Sequence, residues 1–479
     1  MAQPVANVPG AQPAVAPQGT TKKSARWRDL ACALSLANLS FLRVWAELLD
    51  DDRTYTFWLK TPATPAHFAA LMINILILSA LIFVAFRLGR RSGKAVRKLI
   101  PILFLIVLAI LVNNLQELIA SPDRSVIFRI AYQEAMIIGV GIGIVFVIAY
   151  MISGTRVLRL VLTLLLLLFP FVPVTFARAI WRMTHYDPSA FADGTLARPF
   201  PGLAARRVVW VIFDEWDQQL TFPDRDASVR LPQIDRFRNS AFHAENVYEA
   251  GRFTGMSMAG LTSGHMVKGI RTLGPRDLTL EFSDSPSAID WSKQQTVFSR
   301  ARALGLNTAA VAWWIPYCRI LNESLTACEW WAGSNQYNST GRRLGEILVN
   351  QIRSLMETPA RSPFGQSLCT QRHAHMYGEM LGSAEAMVNR RDIGLLLLHM
   401  PIPHKPYIYE RERGDLSYRS TPILSFFDRR RTAYLGALEL VDSTVGEIRR
   451  SMEQAGTWDD TTILLSSDHG LRSPRPDGK

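Results

Sequence analysis

Apolar side chains come in long unbroken runs through the first 180 residues or so, then in short runs broken by Gly, Pro and polar turns. A helix needs about 20 apolar residues to cross the ~30 Å hydrocarbon core of a bilayer. Five segments meet that requirement: 30–49, 66–86, 99–120, 127–151 and 157–180. The pattern therefore predicts an α-helical transmembrane bundle over 26–181. Residues 1–25, rich in Ala, Pro, Gln and Gly, read as a disordered tail, because they offer no core to offset chain entropy. Pro188, Pro199, Pro201 and Gly202 mark 182–205 as an extended linker. From 206 to 479 the short runs predict an α/β domain, a sheet flanked by helices.

Charge supports the same division. Of 53 Lys and Arg and 41 Asp and Glu, 18 and 8 lie at or before Trp181, leaving 35 and 33 beyond it. The excess thus sits almost wholly in the apolar half, which argues against nucleic acid as a partner, since a basic footprint would have to lie on the soluble domain. The basic residues cluster before the first span, after the second (Arg87, Arg90, Arg91, Lys94, Arg97 and Lys98) and after the fourth (Arg156 and Arg159). Those three places share one side of the membrane, which the positive-inside rule makes cytoplasmic. Five crossings then place residue 182 onward outside, on a multi-pass protein of a plasma membrane, the inner membrane in a bacterium. Arg43 and Glu47 stand one turn apart within the first span and read as a self-neutralising pair or as part of a polar groove.

Two strand-like runs end in acids. Arg206 to Phe213 runs into Asp214 and Glu215, and Thr461 to Ser466 into Ser467, Asp468, His469 and Gly470. Ligands of open α/β sheets collect at the carboxyl ends of strands, so these acids and the imidazole are candidate metal ligands; a solvated acidic turn and a surface histidine are the bland alternatives. Between them lie Leu231 to Phe237, then Gly251, Arg252, Phe253, Thr254, Gly255, Met256 and Ser257, closing with Gly260 to Gly264. Tyr434 to Met452 reads as an amphipathic helix with Leu438, Val441, Val445, Ile448 and Met452 on one face.

In this order the motifs resemble the sulfatase-like branch of the alkaline-phosphatase superfamily, with a membrane-anchored layout similar to that of phosphoethanolamine transferases and lipoteichoic-acid synthases. The resemblance spans roughly 206–470 and implies an alkaline-phosphatase-like mixed sheet flanked by helices. It also implies an enzyme with one divalent cation (Mn, Zn, Mg or Ca) held by Asp214, Thr254, Asp468 and His469, with Thr254 as nucleophile. Glu215 competes with Asp214 for the ligand position. The loop Pro401 to Tyr407 resembles the family's substrate loop, in which His404 binds or protonates the leaving group and Lys405 contacts an anionic oxygen. His399 is open between a strand-end structural role and a catalytic one.

Formylglycine sulfatases carry Cys or Ser at the nucleophile, Pro or Ala two residues on and Arg four residues on. Here those positions are Thr254, Met256 and Met258. This departure favours a phosphothreonine intermediate, and with it transfer or cleavage of a phospho-group on a membrane lipid or a lipid-linked or envelope glycan. Hydrolysis of sulfuric or other esters on the same fold, and a catalytically silent membrane scaffold or sensor, are the alternatives. Nine residues follow Gly470 where the family continues with a further His-containing segment, so either the chain is truncated or the domain ends unusually, and a single-metal site is expected. Asp442 reads as a helix-packing residue, and His373 with His375 as a surface pair. Outside the spans, Cys318 and Cys328 suit a disulfide closing a short loop in an oxidising compartment, with Cys369 able to replace either.

Overall fold

The computed structural model describes residues 18–49, 56–91, 156–333, 343–356, 363–416 and 426–471, with a few positions between 145 and 153. Its chain divides into two compact units, one of Met1–Arg43 with Leu71–Ala179, the other of Val44–Ala70 with Ile180–Lys479.

Helix α1 (Gln18–Ser40) is followed by α2 (Leu42–Leu48), bent from it by 60°, and then by α3 (Pro65–Arg91). Among the described residues Pro65–Leu88 and Arg156–Thr184 are long and apolar enough to cross a membrane, and the bent pair makes a third candidate if counted as one span. The expected spans at 99–120 and 127–151 lie almost wholly outside the described residues. Within the first unit, Thr175 Oγ1 donates to Asn38 Oδ1 at 3.1 Å, a pairing that satisfies polar groups where lipid cannot.

The second unit is built on five parallel strands in the order β10-β1-β7-β5-β6, together with a three-stranded antiparallel sheet and a two-stranded ribbon. In chain order these are β1 (Arg207–Asp214), helices α4 (Pro232–Ser240) and α5 (Thr254–Ser263), the antiparallel strands β2 (Val267–Thr272), β3 (Leu278–Phe282) and β4 (Ala288–Asp290), helix α6 (Val297–Ala303), β5 (Asn307–Trp313), β6 (Ala327–Trp331), helices α7 (Leu344–Met356) and α8 (Pro363–Val388), β7 (Ile393–Pro403), the short β8 (Tyr409–Glu410) and β9 (Asp415–Leu416), α9 (Phe426–Gln454) and β10 (Thr461–Ser467). The strands and the long C-terminal helix expected from the apolar runs all form, α9 beginning earlier than Tyr434.

Alternation along the central strands sorts their side chains between two cores. Val209, Val211, Phe213, Leu396 and Leu398 pack with residues of α8 and α9 on one face. Ile212, Ala310, Ala312, Leu395 and Leu397 pack with Met256 and Met258 of α5 on the other. Phe57, from the segment between α2 and α3, is fully buried in that second core. The Arg319 guanidinium, 2% exposed, donates to the carbonyls of Leu59 at 3.0 Å and Lys60 at 3.2 Å, so the 56–64 segment is part of this unit's interior packing.

Candidate active site and metal centre

The parity of the strands brings the chemistry together. Asp214 follows Ile212 by two positions on β1, and His399 follows Leu395 and Leu397 by four and two on β7, so both fall on the face covered by α5. Asp468 and His469 stand just past β10, and Ser467 Oγ ties that turn to β1 by donating to the carbonyl of Phe213 at 3.0 Å. Thr254 is the first residue of α5, whose N-cap, Phe253, offers no side-chain cap. The preceding loop folds back on that turn so closely that a Cβ at Gly251 would lie 2.5 Å from Met256 Cβ, which only glycine avoids. Gly264, at φ 79°, ends the helix in the left-handed conformation.

The Thr254 hydroxyl lies 3.3 Å from Asp214 Oδ2 and 3.2 Å from His469 Nε2. His469 Nε2 is also 3.8 Å from Asp214 Oδ1 and 3.4 Å from Asp468 Oδ2. The Gly470 carbonyl lies 2.9 Å from His469 Nδ1 and can only accept, so Nδ1 carries the proton and Nε2 faces Thr254 with its lone pair. Asp214, His399 and Asp468, all buried, each offer an atom within 4.8 Å of the others. Asp468 is further oriented by the amides of Glu215 at 3.2 Å and His469 at 2.7 Å.

The electrostatics of the cluster are compatible with a bound cation. Burial pushes the Asp468 carboxyl above its ordinary range, against the pull of His469, the Thr254 hydroxyl and the two amides. Burial, aided by His469 and His404, lowers His399 to about 3, and neither of its ring nitrogens finds a hydrogen-bond partner among the described residues. The Tyr317 phenol is raised by burial and by Asp468 and Asp214. Acids and neutral imidazoles packed together out of water are destabilised alone and favoured by a positive charge among them. The donor set therefore fits one divalent ion.

A family model described as Sulfatase matches residues 206–478, more than half of the chain. The chain belongs to the sulfatase family. No curated protein matches it. Among solved structures, the sulfatase-family chain is similar to a phosphonate monoester hydrolase of Agrobacterium radiobacter (15% identity, TM-score 0.36, covering 55% of this chain and 62% of that one). It is similar also to an alkaline-phosphatase-superfamily protein of Vibrio parahaemolyticus (13%, TM-score 0.33, 60% and 60%). A third likeness is to the integral membrane protein lipooligosaccharide phosphoethanolamine transferase A of Neisseria meningitidis (16%, TM-score 0.34, 92% and 84%). This chain thus spans about three-fifths of the first two. The TM-scores are low, and the family match alone carries the assignment.

Within the sulfatase-family domain the two candidate acids of β1 part company. Asp214 faces Thr254, whereas Glu215, held at φ 62°, directs its carboxylate toward His404, Oε1 lying 4.0 Å from Nε2. Burial lowers His404 to about 4 despite Glu215. Lys405 is exposed and stands outside the cluster. Cys318 and Cys328 form a disulfide, and the Cys369 side chain lies outside the described residues. Asp442 accepts from the amides of Gln233 and Ile234, both at 2.8 Å, capping α4 from a neighbouring helix.

The expectation of a surface pair at His373 and His375 fails for the first. His373 is fully buried and hydrogen-bonds through Nε2 to the Pro401 carbonyl at 3.0 Å, because it shares the inward face of α8 with Tyr377 and Met380; only His375 is exposed. Sequence reasoning also left His399 undecided, although its parity with Leu395 and Leu397 was a usable signal. Tyr317 and the Trp313–Trp314 pair carried no motif at all.

Proposed function

We propose that this chain is a membrane-anchored, metal-dependent phosphotransferase or phosphodiesterase that acts through Thr254 on a phospho-group of an envelope lipid or lipid-linked glycan. One observation carries the reading: the Thr254 hydroxyl sits within 3.3 Å of both Asp214 and His469, beside Asp468 and His399, in a largely buried cluster.

Asp214, Thr254, Asp468 and His469 would hold one divalent cation, with His399 as a further donor. Such an ion lowers the cost of forming an alkoxide and offsets charge on phosphoryl oxygens. Asp214 Oδ2 accepts from the Thr254 O–H and stands where its proton leaves, the single Nε2 lone pair of His469 being the one offered to the ion. The uncapped first turn of α5 directs amide N–H groups to the same place, favouring negative charge there. His404, lowered to about 4, is neutral near pH 7. It is therefore suited to donating a hydrogen bond to the leaving oxygen rather than a whole proton.

Apolar helices suit a substrate that arrives within the bilayer, and the basic clusters of the sequence support an extracytoplasmic catalytic unit. Residues 56–64, between the first two apolar helices, pack in the same unit as residues 180 onward, which supports placing both on one side of the membrane. That agrees with an odd number of crossings before residue 182.

Full-length protein supplied with a divalent ion and a chromogenic phosphodiester tests the reading. Thr254→Ala is expected to lower kcat/KM on the order of 10³-fold or more. Undiminished turnover by that variant, or turnover confined to sulfate esters, contradicts it.

A further inference from the structure

Trp58 belongs to the segment between the first two apolar helices, far in sequence from every motif of the catalytic domain. Its ring stacks on Trp314 with centroids 4.6 Å apart and planes 19° from parallel, and meets Phe57 edge-on at 4.9 Å. Phe57 in turn is fully buried in the core that also holds Met256 and Met258 of α5. The edge of the Trp58 ring rests on Gly255, the residue next to Thr254: a Cβ built there would lie 3.2 Å from Trp58 Cη2 and 2.9 Å from Ile270 Cδ1. Glycine at 255 leaves room for the indole and for Ile270, which any side chain there would crowd. Trp314, held at φ 64°, adjoins Trp313, whose ring lies 5.3 Å from that of His404 and 6.4 Å from that of His399. A continuous aromatic wall thus runs from the Thr254 turn to the His404 loop, and one of its members comes from outside the catalytic sequence.

We propose that Trp58 is a positioning residue for Thr254: braced on Trp314, it presses on the Gly255 backbone and fixes the first turn of α5 so that the hydroxyl faces Asp214 and His469. This rests on the reading of Thr254 as nucleophile. The cost of losing Trp58 then falls on the chemical step, because a small shift of the nucleophile leaves substrate contacts in place while spoiling the line of attack.

The test uses the full-length, metal-supplied protein in detergent with bis(p-nitrophenyl) phosphate. The Trp58→Ala variant is expected to lower kcat by ~10- to 100-fold with KM little changed. Trp58→Phe keeps a ring on Trp314 and restores folding without restoring contact at Gly255, so it should recover the melting temperature and only part of kcat. A Cβ at 255 meets the missing indole atom, so Gly255→Ala should be less harmful in the Trp58→Phe background than alone. If kcat of Trp58→Ala stays within about twofold of the parent while Thr254→Ala is inactive, the positioning role is overturned and the nucleophile stands. If kcat and melting temperature fall and recover together through Ala and Phe, the residue is merely structural and the proposal is likewise overturned. Activity in Thr254→Ala removes the nucleophile itself.

Discussion

Thr254 stands 40 residues from Asp214 and 215 from His469 in the chain, and its hydroxyl lies 3.3 and 3.2 Å from them. Asp214, Asp468 and His469 stood out because each follows an apolar strand run that ends abruptly, whereas Thr254 was pointed to by the family resemblance alone. His399 was only half legible: a histidine closing an apolar run has a structural reading of equal weight until β7 is known to lie beside β1. His373 lies one turn before the buried stripe of Tyr377, Met380 and Ala384, a signal the sequence carries, whereas its partner, the Pro401 carbonyl, no local pattern announces. That burial has a pH consequence. His373 is lowered from 6.5 to about 4, with desolvation the main cause and the Pro401 bond opposing it. The unfolded chain therefore binds the extra proton first, so this stabilisation is complete above pH 6.5 and is lost as pH falls toward 4. Melting curves across that window should show a decline of up to about 1.4 kcal/mol per pH unit from this group, flattened in His373→Gln. An unchanged slope in the variant would assign the decline elsewhere.

Element by element, the sequence foretold β1, β10 and α9: β1 is mostly buried and reads as a continuous apolar run, β10 at the sheet edge is only partly buried but keeps its Ile and Leu, and α9 shows an apolar stripe. The antiparallel β2–β4 sheet left no comparable trace, being short and half exposed. The tie between α4 and α9 was legible only as a buried acid on an apolar face, and the structure supplies its reason: Asp442 caps α4, whose N-cap, Leu231, has no capping side chain of its own. Burial raises that carboxyl to about 6 while the two amides pull it down. Asp442→Ala should cost about 1–2 kcal/mol of stability, Asp442→Asn less, and neither should alter metal content. Loss of bound metal in Asp442→Asn would instead place this residue among the ligands.

At the scale of the whole molecule the sequence pointed to an apolar half and a catalytic half, yet the catalytic unit also incorporates residues from before α3. Nothing in the 56–64 segment announces this, since a short aromatic stretch between apolar helices reads equally well as an interfacial anchor. A fragment beginning at residue 182 would lose Phe57 from its core, at about 3–5 kcal/mol for a buried phenyl ring, and would strip Arg319 of two carbonyl partners. Such a fragment should melt well below the catalytic unit of the full chain or fail to fold; equal stability would contradict the packing described. The central claim is that Thr254 shares a divalent cation with Asp214, Asp468 and His469. Anomalous diffraction from crystals of the full chain grown with Mn or Zn tests it most directly. The expected result is one ion about 2.0–2.4 Å from Thr254 Oγ1 and from donor atoms of all three other residues. An ion bound elsewhere, or a cluster that stays empty under saturating metal, would contradict the account.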